Sequence, residues 1–512
     1  MVGVPGRSKA CLTCRRRKKG CDLQQPACGQ CRRAAIECGG YERQRIFIHK
    51  TQAEAHGKAL RLETDIGPQQ SLIRLEAGPQ QAMVILPESL TQSAYGDKFL
   101  ELYWGSYLPN GRSFSAEAAK YSTAGWMNVV QDLHQQDKPL HMALMANCMG
   151  LVGRGDGQKW MVEESLRVYG LALKAVVSSL RDPVKMESNE LLVASRLLSL
   201  FELCFGADEV DHPAQSQRWS AHIAGGMAIM ASRKPFAYIR GHAHSVFVDS
   251  RLHQIINDIQ LRRPSFLSEP AWKNIPWLEE PKDPKDVLLD VLVDIPGILG
   301  EFDSMQSCID LKEREKRRGE LYSRCLEYDK ELQAWASNIG RPAMDFIVKK
   351  LAEGDLENQT PTSEELSMAH LGIIHCITCI LLYHVLHSTT TTTKASATPE
   401  RMNPRAYCRR MARLLPLFLA RNAGGFVISM VTFPVGMALS YLRVGDASRH
   451  LVSEEQQMLL RVFEGEYGAE IRRFLVSRQR DRLWQPIPLQ QLRRTGRTDP
   501  LLEIFWPLDG PE

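Results

Sequence analysis

The sequence predicts a small N-terminal module of two short helices around a cysteine cluster, a flexible linker and a large all-α domain. Three observations carry this. Six of the 13 cysteines fall between Cys11 and Cys38. The first 50 residues hold 12 Lys and Arg against 3 Asp and Glu, whereas the rest of the 512 holds 52 against 56. Beyond about residue 95, apolar residues recur at helical rather than alternating spacing. Concentrated positive charge at one end is an electrostatic footprint for a polyanion, and the acidic remainder is not. Hydrophobic residues at 44% and charged residues at 24% are ordinary for a globular body.

The opening MVGVPGRSKA has no apolar run, so no secretory signal is expected. Thiols that are not exported stay reduced, and clustered cysteines then favour metal over disulfides. Cys11, Cys14, Cys21, Cys28, Cys31 and Cys38 read C-x2-C-x6-C-x6-C-x2-C-x6-C, which is one C-x2-C-x6-C unit written twice. Each zinc takes four tetrahedral ligands, so six thiolates serve two ions only if two of them bridge. In each half, C-x2-C can open a short helix whose N-terminal dipole favours thiolate. Pro26 opposes a continuous helix and fits the loop joining the halves. About thirty residues bury too little apolar surface to fold unaided, so the module is predicted to be zinc-nucleated.

Five consecutive cations, Arg15, Arg16, Arg17, Lys18 and Lys19, lie between the second and third cysteines. On a helix they cannot all face one way, because each step turns about 100°. One or two can reach guanine O6 and N7 in the major groove while the others meet phosphates. Arg7, Lys9, Arg32, Arg33, Arg43 and Arg45 extend the phosphate-contacting set on either side. A nuclear import signal is a second use for the same run, compatible with the first. Metal storage does not call for so many cations between the ligands.

With that basic run in the first half and Pro26 in the loop, the pattern resembles the fungal binuclear zinc-cluster transcription factors. All six cysteines match that family's spacing without insertion or deletion, over about residues 8–41. The resemblance implies two Zn2+ ions bridged by Cys11 and Cys28. It also implies base contact by Lys18, with Arg17 beside it, at CGG triplets in the major groove. Arginine stands at 16 and 17 and glycine at 20, so the surrounding contacts need not be those of the best-known members. Further implications are a nuclear regulator of genes read by RNA polymerase II, with double-stranded DNA as partner and no enzymatic activity. By analogy with relatives, those genes would form a metabolic or secondary-metabolite set.

Residues 42–94 read as a flexible linker, interrupted by Gly67-Pro68 and Gly78-Pro79. No run of three heptads marks a coiled coil there, so dimerisation with a second copy would fall to the helical body at 95–512. In that body Phe99, Tyr103 and Tyr107, with Leu102 between them, form one apolar face. Residues 159–181 and 187–205 read as helices bounded by Asp182-Pro183 and Gly206. Thr362-Ser363-Glu364-Glu365 is a capping-box signature that opens a helix to about His387. Leu321, Cys325, Tyr328, Leu332 and Trp335 read as a core stripe. Prolines at 264, 270, 276, 281 and 284 predict an extended crossing. The stretch from Trp219 through Arg263-Pro264-Ser265-Phe266-Leu267 to Pro276-Trp277 resembles the helical regulatory domain that accompanies the fungal cluster. That likeness implies control by effectors or transcriptional co-regulators.

Other features support only structural readings. Gly153-Arg154-Gly155-Asp156-Gly157 lacks a preceding strand and reads as a loop, not a dinucleotide fingerprint. His242 and His244, two apart, point away from each other on a helix, and neither they nor His222 and His253 have an accompanying carboxylate motif. Cys376 and Cys379 sit in the apolar run Leu371 to Leu386, which at about sixteen residues is short for a membrane span and reads as a buried helix.

Overall fold

The computed structural model describes residues 10–11, 13–14, 17–24, 27–38, 88–206, 212–354, 356–390, 399–446 and 452–477. The chain divides into two units, Met1–Val84 and Ile85–Glu512. Among the described residues of the first, one regular helix is formed, α1 (Gly29–Arg33), preceded by a helical turn at Thr13 and Cys14. The second is helical, and no strand occurs among the described residues. Most of the stretch expected as linker lies outside the described residues. Its last seven, 88–94, already belong to a helix.

That helix, α2 (Glu88–Tyr107), buries Tyr103 and Tyr107, whose rings stack 5.1 Å apart, while Leu102 points outward. After α3 (Trp126–Leu133), Asp137 caps α4 (Lys138–Gly155) by accepting from Leu140 N at 2.8 Å. The chain reverses over Asp156–Gln158, where Gly157 takes φ +66°, into α5 (Lys159–Ser179). Gly153 and Gly155, expected in a loop, instead form the last turn of α4. A Cβ on Gly153 would stand 2.9 Å from Met161 Cβ, so close packing against α5 is what requires glycine there. The following helix, α6 (Asn189–Phe205), is buried at every residue from Leu191 onward and runs through the middle of this half. It is flanked by α7 (His212–Ser232) and α8 (Gly241–Leu261), the latter ending at Arg262 in left-handed conformation.

The proline-rich stretch differs from expectation. Residues 266–277 form three successive short helical turns rather than an extended crossing, because Pro270 and Pro276 each occupy a first-turn position where the missing N–H costs nothing. Pro284 likewise opens α9 (Pro284–Leu292). The next pair, α10 (Ile295–Gln306) and α11 (Leu311–Ser337), places Leu321, Cys325, Leu332 and Trp335 in the core. Tyr328 is half-buried and donates to Asp294 Oδ2 at 3.0 Å.

The second half is organised around α13 (Ser363–Thr389), which follows α12 (Arg341–Glu353). The capping box is present: Glu365 N donates to Thr362 Oγ1 at 3.2 Å and Thr362 N to Glu365 Oε2 at 3.0 Å. This helix is long and apolar enough to cross a membrane, yet 94% of its apolar window is buried in the bundle, which makes it a core helix. Cys376 and Cys379 are fully buried on it. Against it pack α14 (Pro404–Leu414) and α15 (Val427–Asp446); α16 (Glu454–Leu460) packs on α14 and α15, and α17 (Gly468–Ser477) packs on α15 and on α7 and α6 of the first half.

The body buries histidines in neutral form. Burial lowers His370 and His375 to about 3 and His222 and His384 to about 4, and it holds His253 well below its ordinary value. In the unfolded chain each titrates near 6.5. The folded values are depressed, so the stability they permit is complete above pH 6.5. It is lost as pH falls toward the folded values, at about 1.4 kcal/mol per pH unit for each histidine the unfolded state alone protonates. We therefore expect urea midpoints of the full chain, followed by helical circular dichroism, to drop steeply between pH 7 and pH 5. A flat profile over that range would contradict the neutral burial of these rings.

Candidate metal centre and nucleic-acid interface

The doubled cysteine unit folds as two matching halves. In the first, Cys14 N donates to Cys11 Sγ at 3.3 Å and Cys11 N to Cys21 Sγ at 3.5 Å. In the second, Cys31 N donates to Cys28 Sγ at 3.3 Å and Cys28 N to Cys38 Sγ at 3.5 Å. The sequence repeat is thus a repeat of backbone-to-sulfur hydrogen bonds, which stabilise thiolate charge and aim each sulfur inward. Thr13 Oγ1 ties the halves by donating to Glu37 O at 3.1 Å. Asp22 accepts from Gly29 N at 2.9 and 3.0 Å at the start of α1, and a Cβ on Gly29 would fall 2.3 Å from Asp22 Oδ2. Sequence reasoning missed both ties, since neither residue type at its position carries a local signal for a partner so far along the chain.

The sulfurs themselves settle what the cluster is for. The sulfurs of Cys11 and Cys14 stand 3.6–4.0 Å from those of Cys28 and Cys31. A disulfide needs about 2.05 Å. A tetrahedral metal with bonds of about 2.3 Å to sulfur sets its ligands roughly 3.8 Å apart. Two tetrads emerge, Cys11, Cys14, Cys21 and Cys28 in one and Cys11, Cys28, Cys31 and Cys38 in the other. Cys11 and Cys28 belong to both, so eight ligand positions are filled by six thiolates with these two as bridges. All six are free of disulfides.

The pseudo-symmetry also separates the halves by charge. The turn after Cys14 closes through Lys19 N to Cys14 O at 3.0 Å with Lys18 at φ +51°. Its counterpart after Cys31 closes through Ile36 N to Cys31 O at 3.1 Å with Ala35 at φ +50°. The same turn therefore presents Arg17, Lys18 and Lys19 in one half and Ala34, Ala35 and Ile36 in the other. Arg17, Lys18 and Lys19 are all exposed. Arg32 and Arg33 are exposed as well, Arg32 donating to Gln24 Oε1 and Arg33 Nε to Gly29 O at 3.3 Å. Arg7, Lys9, Arg15 and Arg16, also expected at the DNA, lie outside the described residues, as do Arg43 and Arg45.

In the body the histidines do not assemble. His242 Nε2 meets Asp132 Oδ2 at 3.2 Å, His244 Nδ1 donates to Tyr238 O at 2.9 Å, and His222 Nε2 meets Tyr169 OH at 2.8 Å. Tyr169 donates to Glu202 Oε1 at 2.7 Å, where Arg218 Nε also donates at 2.9 Å. That polar knot joins α5, α6 and α7. Among the described residues, the groups positioned to hold a metal are the two cysteine tetrads.

Comparison with known families agrees with this geometry. Residues 9–45 match the model of the fungal Zn(2)-Cys(6) binuclear cluster domain. Residues 114–270 match that of the fungal specific transcription factor domain, which here spans α3 to α8. The first of these domains binds two zinc ions, and the two tetrads are where this chain places their ligands. No curated protein and no solved structure matches the chain.

Proposed function

We propose that this chain, whose two matched regions are both transcription-factor domains, is a nuclear, zinc-dependent regulator that reads short CGG-containing sites in genes transcribed by RNA polymerase II. The observation that carries the reading is the pair of cysteine tetrads sharing Cys11 and Cys28, with exposed Arg17, Lys18 and Lys19 on one side only. An asymmetric cationic turn on a rigid metal core fits one half entering the major groove. Lys18 would then donate to guanine O6 and N7, while Arg15, Arg16, Arg17, Lys19, Arg7 and Lys9 serve phosphates and flanking bases. On this reading residues 8–41 are the DNA-binding module, the stretch after it is a linker, and the helical body is the regulatory domain. The body would respond to effectors or co-regulators, or pair with a second copy, to control a metabolic or secondary-metabolite gene set. Both matched families are transcription-factor domains, which are not enzymes.

In vitro site selection with the zinc-loaded full chain, followed by sequencing, tests this directly. Enrichment of CGG triplets is expected, one per site for a monomer or two at fixed spacing for a dimer. Lys18→Ala should weaken binding to the selected site by roughly 10- to 100-fold, with relaxed preference at the contacted guanines. Retained DNA no different from random sequence would remove the functional reading.

A further inference from the structure

The ends of α12, α14 and α16 enclose a recess that belongs neither to the zinc module nor to the matched regulatory segment. Its accessible volume is about 140 Å³, close to that of engineered apolar cavities that hold a benzene-sized molecule. The floor is apolar, built from Leu356, Leu415, Leu419 and Met458. Leu356 and Leu415 are fully buried, and Leu419 and Met458 are half-buried along the side.

One wall exists because Gly354, at φ +84°, reverses the chain at the end of α12. Lys350 then holds that wall by donating to Gln359 Oε1 at 2.8 Å and pairing with Glu365 at 3.1 Å and Glu353 at 3.3 Å. Among the described residues, the rim carries Arg413 and Arg461 against one carboxylate, Glu357. Glu357 is paired with Arg461. Arg413 donates one Nη2 bond of 2.7 Å to Leu351 O and forms no ion pair with a carboxylate among the described residues, so most of its fork is left for a ligand. A guanidinium with bidentate capacity above an apolar floor matches a molecule with a carboxylate at one end and hydrocarbon at the other.

We propose that this recess binds a small aliphatic or aromatic monocarboxylate of roughly six to nine non-hydrogen atoms, the size set by the cavity. Arg413 takes the carboxylate, and the leucine and methionine floor takes the hydrocarbon. Binding stands on the body alone; its consequence for transcription rests on the regulatory reading above.

The test is calorimetric titration of the zinc-loaded full chain, in the absence of DNA, with sodium hexanoate, sodium benzoate and the neutral hexanamide. Saturable one-to-one binding of at least one of the two carboxylates is expected, with hexanamide at least about tenfold weaker, the loss typical of removing one partner of a charged hydrogen bond. Arg413→Met, at an exposed position, should weaken carboxylate binding by a similar factor. Met458→Trp should fill the recess and abolish it, with zinc content and helical signal unchanged in both variants. No saturable binding of either carboxylate overturns the proposal. So does equal affinity for hexanamide, or binding that survives Met458→Trp. Because DNA is absent, none of these outcomes depends on whether the zinc module reads a site.

Discussion

Cys28→Ser is expected to unfold the zinc module and abolish site-specific DNA binding, although five of its six thiolates remain. Cys28 belongs to both tetrads, so its removal leaves each ion three sulfurs instead of breaking one site and sparing the other. The Cys28 side chain also accepts from Cys31 N at 3.3 Å at the start of α1, so the helix loses its cap with its metal. Metal ligation is the module's main source of stability, because about thirty residues bury too little apolar surface to fold unaided. Among its described residues the side chains packed in it, apart from the buried cysteines, are few, and Leu23 and Ile36 are exposed. Structural zinc contributes on the order of 10–16 kcal/mol in modules of this size, more than any side-chain packing here can offset. Zinc content by mass spectrometry under non-denaturing conditions should fall from two ions to none. Cys21→Ser, which touches a single tetrad, should retain more metal than Cys28→Ser. Equal zinc loss in the two variants would contradict the bridging arrangement.

Arg251→Met is expected to destabilise the helical body by about 3–5 kcal/mol, the cost of leaving buried charges without their partner. Arg251 lies on α8 with no exposed surface, its guanidinium 4.6 Å from the Trp277 ring centre. It pairs with Asp290 and reaches Asp286 O at 3.4 Å. Lys285, itself buried, lies 3.7–4.0 Å from Asp249, Asp283 and Asp286. Replacing the cation by a methionine of similar length keeps the volume but leaves buried Asp286 with Lys285 as its remaining cation and half-buried Asp290 with Lys282. Urea unfolding followed by tryptophan fluorescence measures the loss. A midpoint shift worth less than about 1 kcal/mol would mean that the aspartates find water or Lys282 and Lys285 suffice.

These two residues also mark how far the chain can be read without its fold. The zinc module was legible because metal ligation depends on a few residues close in sequence, and ligand number alone demanded two bridges. Helix starts were legible where the cap is local, as at Thr362 and Glu365. The run of prolines misled, because proline marks a first helical turn as readily as a break, and only packing against α8 and α10 decides. Gly153 misled for a similar reason: glycine admits a neighbouring helix as well as a loop. The buried charges were not legible. Asp329 receives Tyr383 from 54 residues away and Arg401 from 72, and no local pattern announces such a partner. One signal was present and went unread: aligning the two cysteine halves sets Lys18 against Ala35 and Lys19 against Ile36, which assigns the cationic turn to a single half.

The most direct test compares two affinities of the full chain at one salt concentration, for a duplex carrying a selected CGG site and for the same duplex scrambled. With zinc bound, the selected duplex should be held at least about 10³-fold more tightly, the lower edge of specific over nonspecific binding. After chelation that ratio should collapse toward one. Equal affinity for both duplexes with zinc bound would show that the basic turn meets phosphates alone, and the protein would not be a reader of sequence.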